Sequence, residues 1–184
     1  MMQDVVSATE KAVRDIVGEI HTALPGKIQS YDQRTGLVNV LPYGTYHCHD
    51  GRSFPYPVIS SVPLITMANG PVSISLPIKP DMDCLLVISE QSLDQWLQGT
   101  QTSSELSYDL TNAVAIPGLA KAPIPSQIEA NQSGAVIISG GAAKISVSAS
   151  AVTISGAVTI SGNLNIQGSI SCSGSSPWKL KGEE

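Results

Sequence analysis

Val152-Thr153-Ile154-Ser155-Gly156-Ala157, Val158-Thr159-Ile160-Ser161-Gly162-Asn163, Leu164-Asn165-Ile166-Gln167-Gly168-Ser169 and Ile170-Ser171-Cys172-Ser173-Gly174-Ser175 are four consecutive hexads of one pattern: apolar, x, apolar, x, Gly, x. Alternation with period two puts Val152, Ile154, Val158, Ile160, Leu164, Ile166, Ile170 and Cys172 on one face of an extended chain. The other face carries Thr, Ser, Asn and Gln, with Ala157 as its exception. Gly156, Gly162, Gly168 and Gly174 stand where the chain bends, or approaches another backbone with no Cβ in the way. A strand that bends every six residues in one sense winds around an axis. A single winding neither buries its apolar side chains nor completes a hydrogen-bond ladder. Three copies about a threefold axis do both and remove open edges. The hexads therefore predict an obligate homotrimer, with a triple-stranded intertwined β-helix over residues 135–174.

Upstream, Val136 and Ile138 and then Ile145, Val147 and Ala149 alternate in the same style, but the inward parity changes twice. Each change predicts a one-residue irregularity, near Gly140-Gly141 and near Ser150-Ala151. No charged residue lies between Lys144 and Lys179. Small polar side chains suit a tight β-prism, and a rod without fixed charge also suits passage through hydrocarbon. Residues 175–184 form a tip in which Pro177 and Trp178 either plug the end of the trimer or dock a tip partner.

Working toward the N-terminus, residues 119–134 read as a connector stiffened by Pro123 and Pro125. Residues 26–118 alternate between short strands and turns. A first hairpin runs around Asp32-Gln33-Arg34-Thr35, residues 72–76 and 83–89 supply further strands, and residues 93–97 a helical cap. About five strands of this kind fit a small closed barrel of the OB type. Residues 1–25 form an N-terminal segment in which 4–24 read as an amphipathic helix, striped by Val6, Val13, Val17, Ile20 and Leu24 and stopped by Pro25-Gly26. Ser7 and Glu10 have capping-box spacing. The stripe fits packing on its own domain and fits a three-helix association equally well. The fold class is thus all-β, with an N-terminal helix, an OB-fold barrel and a C-terminal trimeric β-helix.

Composition narrows the function. Charged residues make up 14% and aromatics 4% of 184 residues, while 42% are hydrophobic, chiefly aliphatic. A net charge of −5 opposes a phosphate-neutralising surface, and a single-strand binder would need a basic groove with stacking aromatics, so no nucleic acid is expected as a partner. Cys48, Cys84 and Cys172 are far apart and form neither a CxxC pair nor a disulfide framework, which fits synthesis in a reducing cytoplasm. Asp4, Glu10, Lys11, Arg14 and Asp15 interrupt any signal-peptide pattern, and no apolar run is long enough to span a bilayer. His47-Cys48-His49-Asp50 has metal-ligand residue types, but Asp50-Gly51 marks an exposed hairpin turn and no second ligand group is near in sequence. No nucleophile, phosphate-loop or zinc-protease motif is present, and no catalytic residue, cofactor or metal is expected.

Several runs resemble the central spike proteins of contractile-tail particles, the myovirus-type phage baseplates and related tailocins. They are His21-Thr22-Ala23-Leu24-Pro25-Gly26-Lys27-Ile28, then Leu76-Pro77-Ile78-Lys79-Pro80-Asp81, then Cys84 to Glu90, then Ser92-Leu93-Asp94-Gln95-Trp96. Ser107-Tyr108-Asp109-Leu110 and Ala113-Val114-Ala115-Ile116-Pro117-Gly118 complete the series. The resemblance spans residues 15–120 and implies a trimer at the baseplate centre, OB heads on a hub protein and a β-helix driven through the host outer membrane. It also implies assembly in the host cytoplasm and residence in the virion or tailocin particle. Many such spikes end in a His-x-His pair that binds iron at the apex. This chain has no histidine there, so the metal is not carried over, and Trp178 or a separate small tip protein would form the point. Two alternatives carry different expectations: a receptor-binding fibre or adhesin trimer, and a β-helix acyltransferase, which needs more coils and a histidine within them.

Overall fold

In the computed structural model, which describes residues 2–18, 20–48, 51–99, 107–169 and 171, the N-terminal stripe forms α1 (Met2–Gly18). The helix ends before Leu24, contrary to the expectation from periodicity. Ala23, Leu24 and Pro25 are taken instead by β1 (Ala23–Asp32), because they pair with Val87, Leu86 and Leu85 in a sheet. Tertiary pairing outweighs the helical spacing of Ile20 and Leu24. Ser7 lies inside the helix, so Ser7 and Glu10 form no capping box.

The chain divides into two units, Met1–Ala122 and Pro123–Glu184. In the first, β1 turns through Asp32, whose Oδ1 accepts from the Arg34 N–H at 2.8 Å, into β2 (Leu37–Pro42). Then follow β3 (Thr45–His47) and β4 (Ser53–Pro55), which pair as a hairpin, β5 (Ile59–Pro63), and the hairpin of β6 (Met67–Asn69) with β7 (Val72–Ile74). β8 (Asp83–Ile88), α2 (Asp94–Gln98), a 3-10 turn at Leu110–Asn112 and β9 (Ala113–Pro117) complete the unit.

Five strands form one sheet in the order β5-β2-β1-β8-β9. Its two edges meet where Leu64 makes a parallel bridge to Ala115 and the Ile65 N–H donates to the Ala115 carbonyl at 2.9 Å. Antiparallel neighbours closed by one parallel seam give the OB-like barrel that the strand spacing suggested. Alternation is legible in β2 and β8, where every second residue is buried. Cys84 apart, the core is aliphatic: Ile28, Val38, Val40, Ile59, Val62, Leu86, Ile88, Ala113 and Ala115.

Asn39 manages two irregularities that let this small sheet curl. The register shifts between Ile28 and Ser30 on one side of β2, and between Val38 and Val40 on the other. The Asn39 side chain donates to Ser30 Oγ at 2.9 Å and accepts from the Ser61 N–H at 3.0 Å. The second of these bonds gives the Ser61 N–H a partner at the irregularity, and the first ties the two strands together beside the other one.

The second unit begins with a helix that the connector reading missed, α3 (Pro125–Ser133). Pro125 occupies its first turn, and Gly134, at φ 65°, closes it with an N–H bond to Ala130. Then β10 (Val136–Gly140), β11 (Ala143–Val147) and β12 (Val152–Ser155) make an antiparallel meander. The parity changes near Gly140-Gly141 and Ser150-Ala151 are therefore full reversals of the chain, not single-residue bulges. A two-residue loop pairs an even-numbered residue with an odd-numbered one, as in Ile138 opposite Ile145, and the inward parity flips without any defect. Among the described residues no helix is long and apolar enough to cross a membrane.

Candidate oligomer interface

The meander places its aliphatic side chains in two rows across three strands. Val136, Val147 and Val152 are successive cross-strand partners, and so are Ile138, Ile145 and Ile154. All six project from one face, where they remain 37–65% exposed. The opposite face holds Ile137, Lys144, Ser146 and Thr153. It is the face toward α3, since Lys144 Nζ pairs with Glu129 Oε1 and Ala135 is buried at the junction. One side of the meander thus has a helix and an ion pair, while the other has six uncovered aliphatic residues and no charge.

The second hexad extends this apolar face as far as Val158. Of the predicted inward residues, Val152 and Ile154 lie in the two rows, and Val158 joins Ile138, Ile145 and Ile154 along a shallow groove. Val158, Ile160, Leu164 and Ile166 are exposed, with none of them in a strand of their own chain. Ile170 and Cys172 lie outside the described residues, as do Gly174, Pro177 and Trp178. Of the hexad glycines, Gly156 has φ 124° and Gly168 φ 150°, a region that favours glycine. A Cβ at Gly156 would also stand 3.3 Å from the Ala143 Cβ. Gly162 has no positive φ and open space around its Cα, so its own chain does not explain it.

The histidine-cysteine cluster behaves as the turn reading required. His47 ends β3, with Nδ1 2.7 Å from Ser53 Oγ across the hairpin, and the Gly51 N–H closes the turn on the Cys48 carbonyl at 3.0 Å. His49 lies outside the described residues. Among those described, no group of three potential ligands comes together.

Sequence reasoning missed a polar clasp in the first unit. The Tyr43 hydroxyl donates to Asp83 Oδ1 at 2.9 Å, and Lys121 Nζ donates to that hydroxyl at 3.3 Å. Lys121 also lies 3.4 Å from Asp83 Oδ2 and 5.0 Å from the Tyr43 ring centroid. The Tyr43 hydrogen bond, and then the Lys121 bond and charge, hold the Asp83 carboxyl below its ordinary value, while Tyr43 and Asp83 raise Lys121. The clasp fastens the last residues of the first unit to the barrel wall. Its members are 38 to 78 residues apart in the chain, which no local motif reveals.

Residues 24–118 match the family of the phage protein Gp138 N-terminal domain, over the stretch that forms the barrel. The chain belongs to this family. The Gp138 N-terminal domain accounts for β1 to β9, and leaves α1 and the second unit to be read from their own residues. As a member, the chain is a phage protein whose head is an OB-like β domain. No curated protein matches the sequence.

Proposed function

We propose that this phage protein is the homotrimeric central spike of a contractile tail baseplate, in a phage or a tailocin, and that sheath contraction drives it through the host outer membrane. One observation carries the reading: an uncharged aliphatic face, left uncovered by the described residues of its own chain, leads from the meander into hexads that keep the aliphatic alternation. Faces of this size and regularity are built to be covered. A winding with a bend every six residues is covered evenly by its own symmetry mates. Membership of the Gp138 N-terminal domain family supplies the phage context.

The mechanism is mechanical. The particle supplies the work, and the spike supplies stiffness and a narrow uncharged shaft that draws no fixed charge into hydrocarbon. The OB-like heads engage a baseplate hub protein, and a small tip protein or Trp178 forms the point. In this reading the spike works without catalysis or a cofactor, and it resides in the virion.

Light scattering on the purified full chain, with electron microscopy of the same sample, tests this. The expected mass is three times the 19.2 kDa chain. A stable 19.2 kDa species overturns the reading. Ile160→Asp would place three like charges about the axis and is expected to abolish assembly. Heat-resistant trimers of that variant would show that Ile160 does not face inward. Specific retention on a host surface glycan by an intact trimer would favour an adhesin over a spike.

A further inference from the structure

We infer that α1 is a second trimerisation element, a short parallel three-stranded coiled coil formed with the same helix of two further copies. The inference rests on the trimeric reading above and deepens it. Val6, Thr9, Val13 and Ile16 follow one another at intervals of 3, 4 and 3 residues, which is the a/d seam of a heptad. Among the described residues α1 has no substantial packing against another element of its unit. Val5, Val6, Val13, Ile16 and Val17 are 54–65% exposed. A helix of 17 residues is close to the limit of stability in water, so its apolar stripe needs a cover.

The identity of the seam residues chooses the cover. Val6 and Val13 at a, and Thr9 and Ile16 at d, are β-branched; Met2, the first residue of α1, falls on the d position one heptad earlier. Two-stranded coils favour β-branched a residues with leucine at d, whereas isoleucine at both positions shifts the preference to three or more strands; the seam here has β-branched residues from Val6 to Ile16 and no leucine. Val5 and Val17, at the flanking g and e positions, widen the stripe beyond the narrow seam of a dimer. Copies related by a threefold axis necessarily run parallel. The stripe thus fits two more copies of itself, and the number of strands agrees with the number the hexads require through unrelated chemistry.

The test uses the full chain with Val13→Cys, on the seam, and Lys11→Cys, at the outward f position. After mild oxidation, most Val13→Cys molecules are expected as disulfide-linked pairs, while Lys11→Cys forms no more than wild type. A second readout is tryptic cleavage after Lys11. Val13→Asp is expected to speed it roughly tenfold or more by melting the helix, and Ser7→Asp, on the outer face, to leave it within about twofold. If wild type is trimeric but Val13→Cys does not cross-link and Val13→Asp is cut no faster, α1 is not part of the trimer and the hexad reading stands. A monomeric wild type overturns both.

Discussion

The barrel wall has no room for a methyl group at Gly26, and this gives a quantitative test of the head. A Cβ built there lies 2.6 Å from Val40 Cγ1, 3.3 Å from Leu86 Cδ1 and 3.4 Å from the Leu41 carbonyl oxygen. Ordinary carbon contacts are about 3.5–4.0 Å. Val40 and Leu86 are fully buried, and Val40, β-branched in a strand, has few alternative rotamers, so the closest neighbour cannot yield without displacing others. The φ at Gly26 is not positive, so Ala suffers no backbone strain and the effect is overpacking alone. Gly26→Ala is expected to cost about 1–3 kcal/mol. Val40→Ala, which removes the clashing carbon and leaves a cavity, is expected to cost about 2–3 kcal/mol. In the double variant the new methyl enters the space the old one vacated, so the loss should fall short of the sum by at least about 1 kcal/mol. Hydrogen–deuterium exchange on peptides from β1, β2 and β8 of the full chain reads the barrel separately from the second unit. Strict additivity, or a Gly26→Ala variant as stable as wild type, would refute the packing described for this wall.

Two further outcomes concern titratable groups. Asp83 titrates below its ordinary 3.8 in the folded chain, so its contribution is complete above that value and disappears as the pH falls through the lower folded one. Asp83→Asn should therefore lower the melting temperature at neutral pH, with the gap to wild type closing in acid. Lys121, raised above 10.5, sets the opposite limit, and its contribution fades as the pH rises through the folded value; a gap independent of pH would exclude the clasp as its source. Burial in the barrel core pushes the Cys84 thiol up to about 11, whereas Cys48 is only half-buried in an exposed hairpin. Iodoacetamide at pH 8 should label Cys48 and spare Cys84 until the barrel is unfolded, as peptide mass spectrometry would show. Prompt labelling of Cys84 would place it outside the core.

The barrel was legible in part because its signals are local, although the equally local alternation of Val72 to Leu76 misled, since Val72–Ile74 pairs only with Met67–Asn69 in a separate exposed hairpin. The Asp32–Thr35 turn, the alternation of Leu37 to Pro42 and the apolar run of Asp83 to Ile88 each carry their own periodicity. The end of α1 was not legible, since Ile20 and Leu24 continue the helical spacing and only pairing with β8 diverts the chain. For α3 the punctuation was present, Pro125 at the start and Gly134 at the end, but a helix without an apolar stripe gives no periodicity to notice. The exposed aliphatic face was legible as alternation, yet its division into a three-stranded meander depended on loop lengths that a parity count cannot distinguish from bulges. The Tyr43–Asp83–Lys121 clasp left no trace in sequence, because each partner has an ordinary local reading.

The seam between Leu64 and Ala115 also has a bearing on biogenesis. Its second half is supplied by the last strand of the head, so the barrel stays open at the ribosome until Ala115 has emerged. The hexads follow Ala115 in the chain. In the trimeric reading proposed above, each nascent chain therefore has its whole head available to fold before it exposes the hexads that companion chains would cover. Synthesis order keeps intramolecular folding ahead of strand exchange between neighbours, and shortens the interval in which uncovered aliphatic hexads invite aggregation.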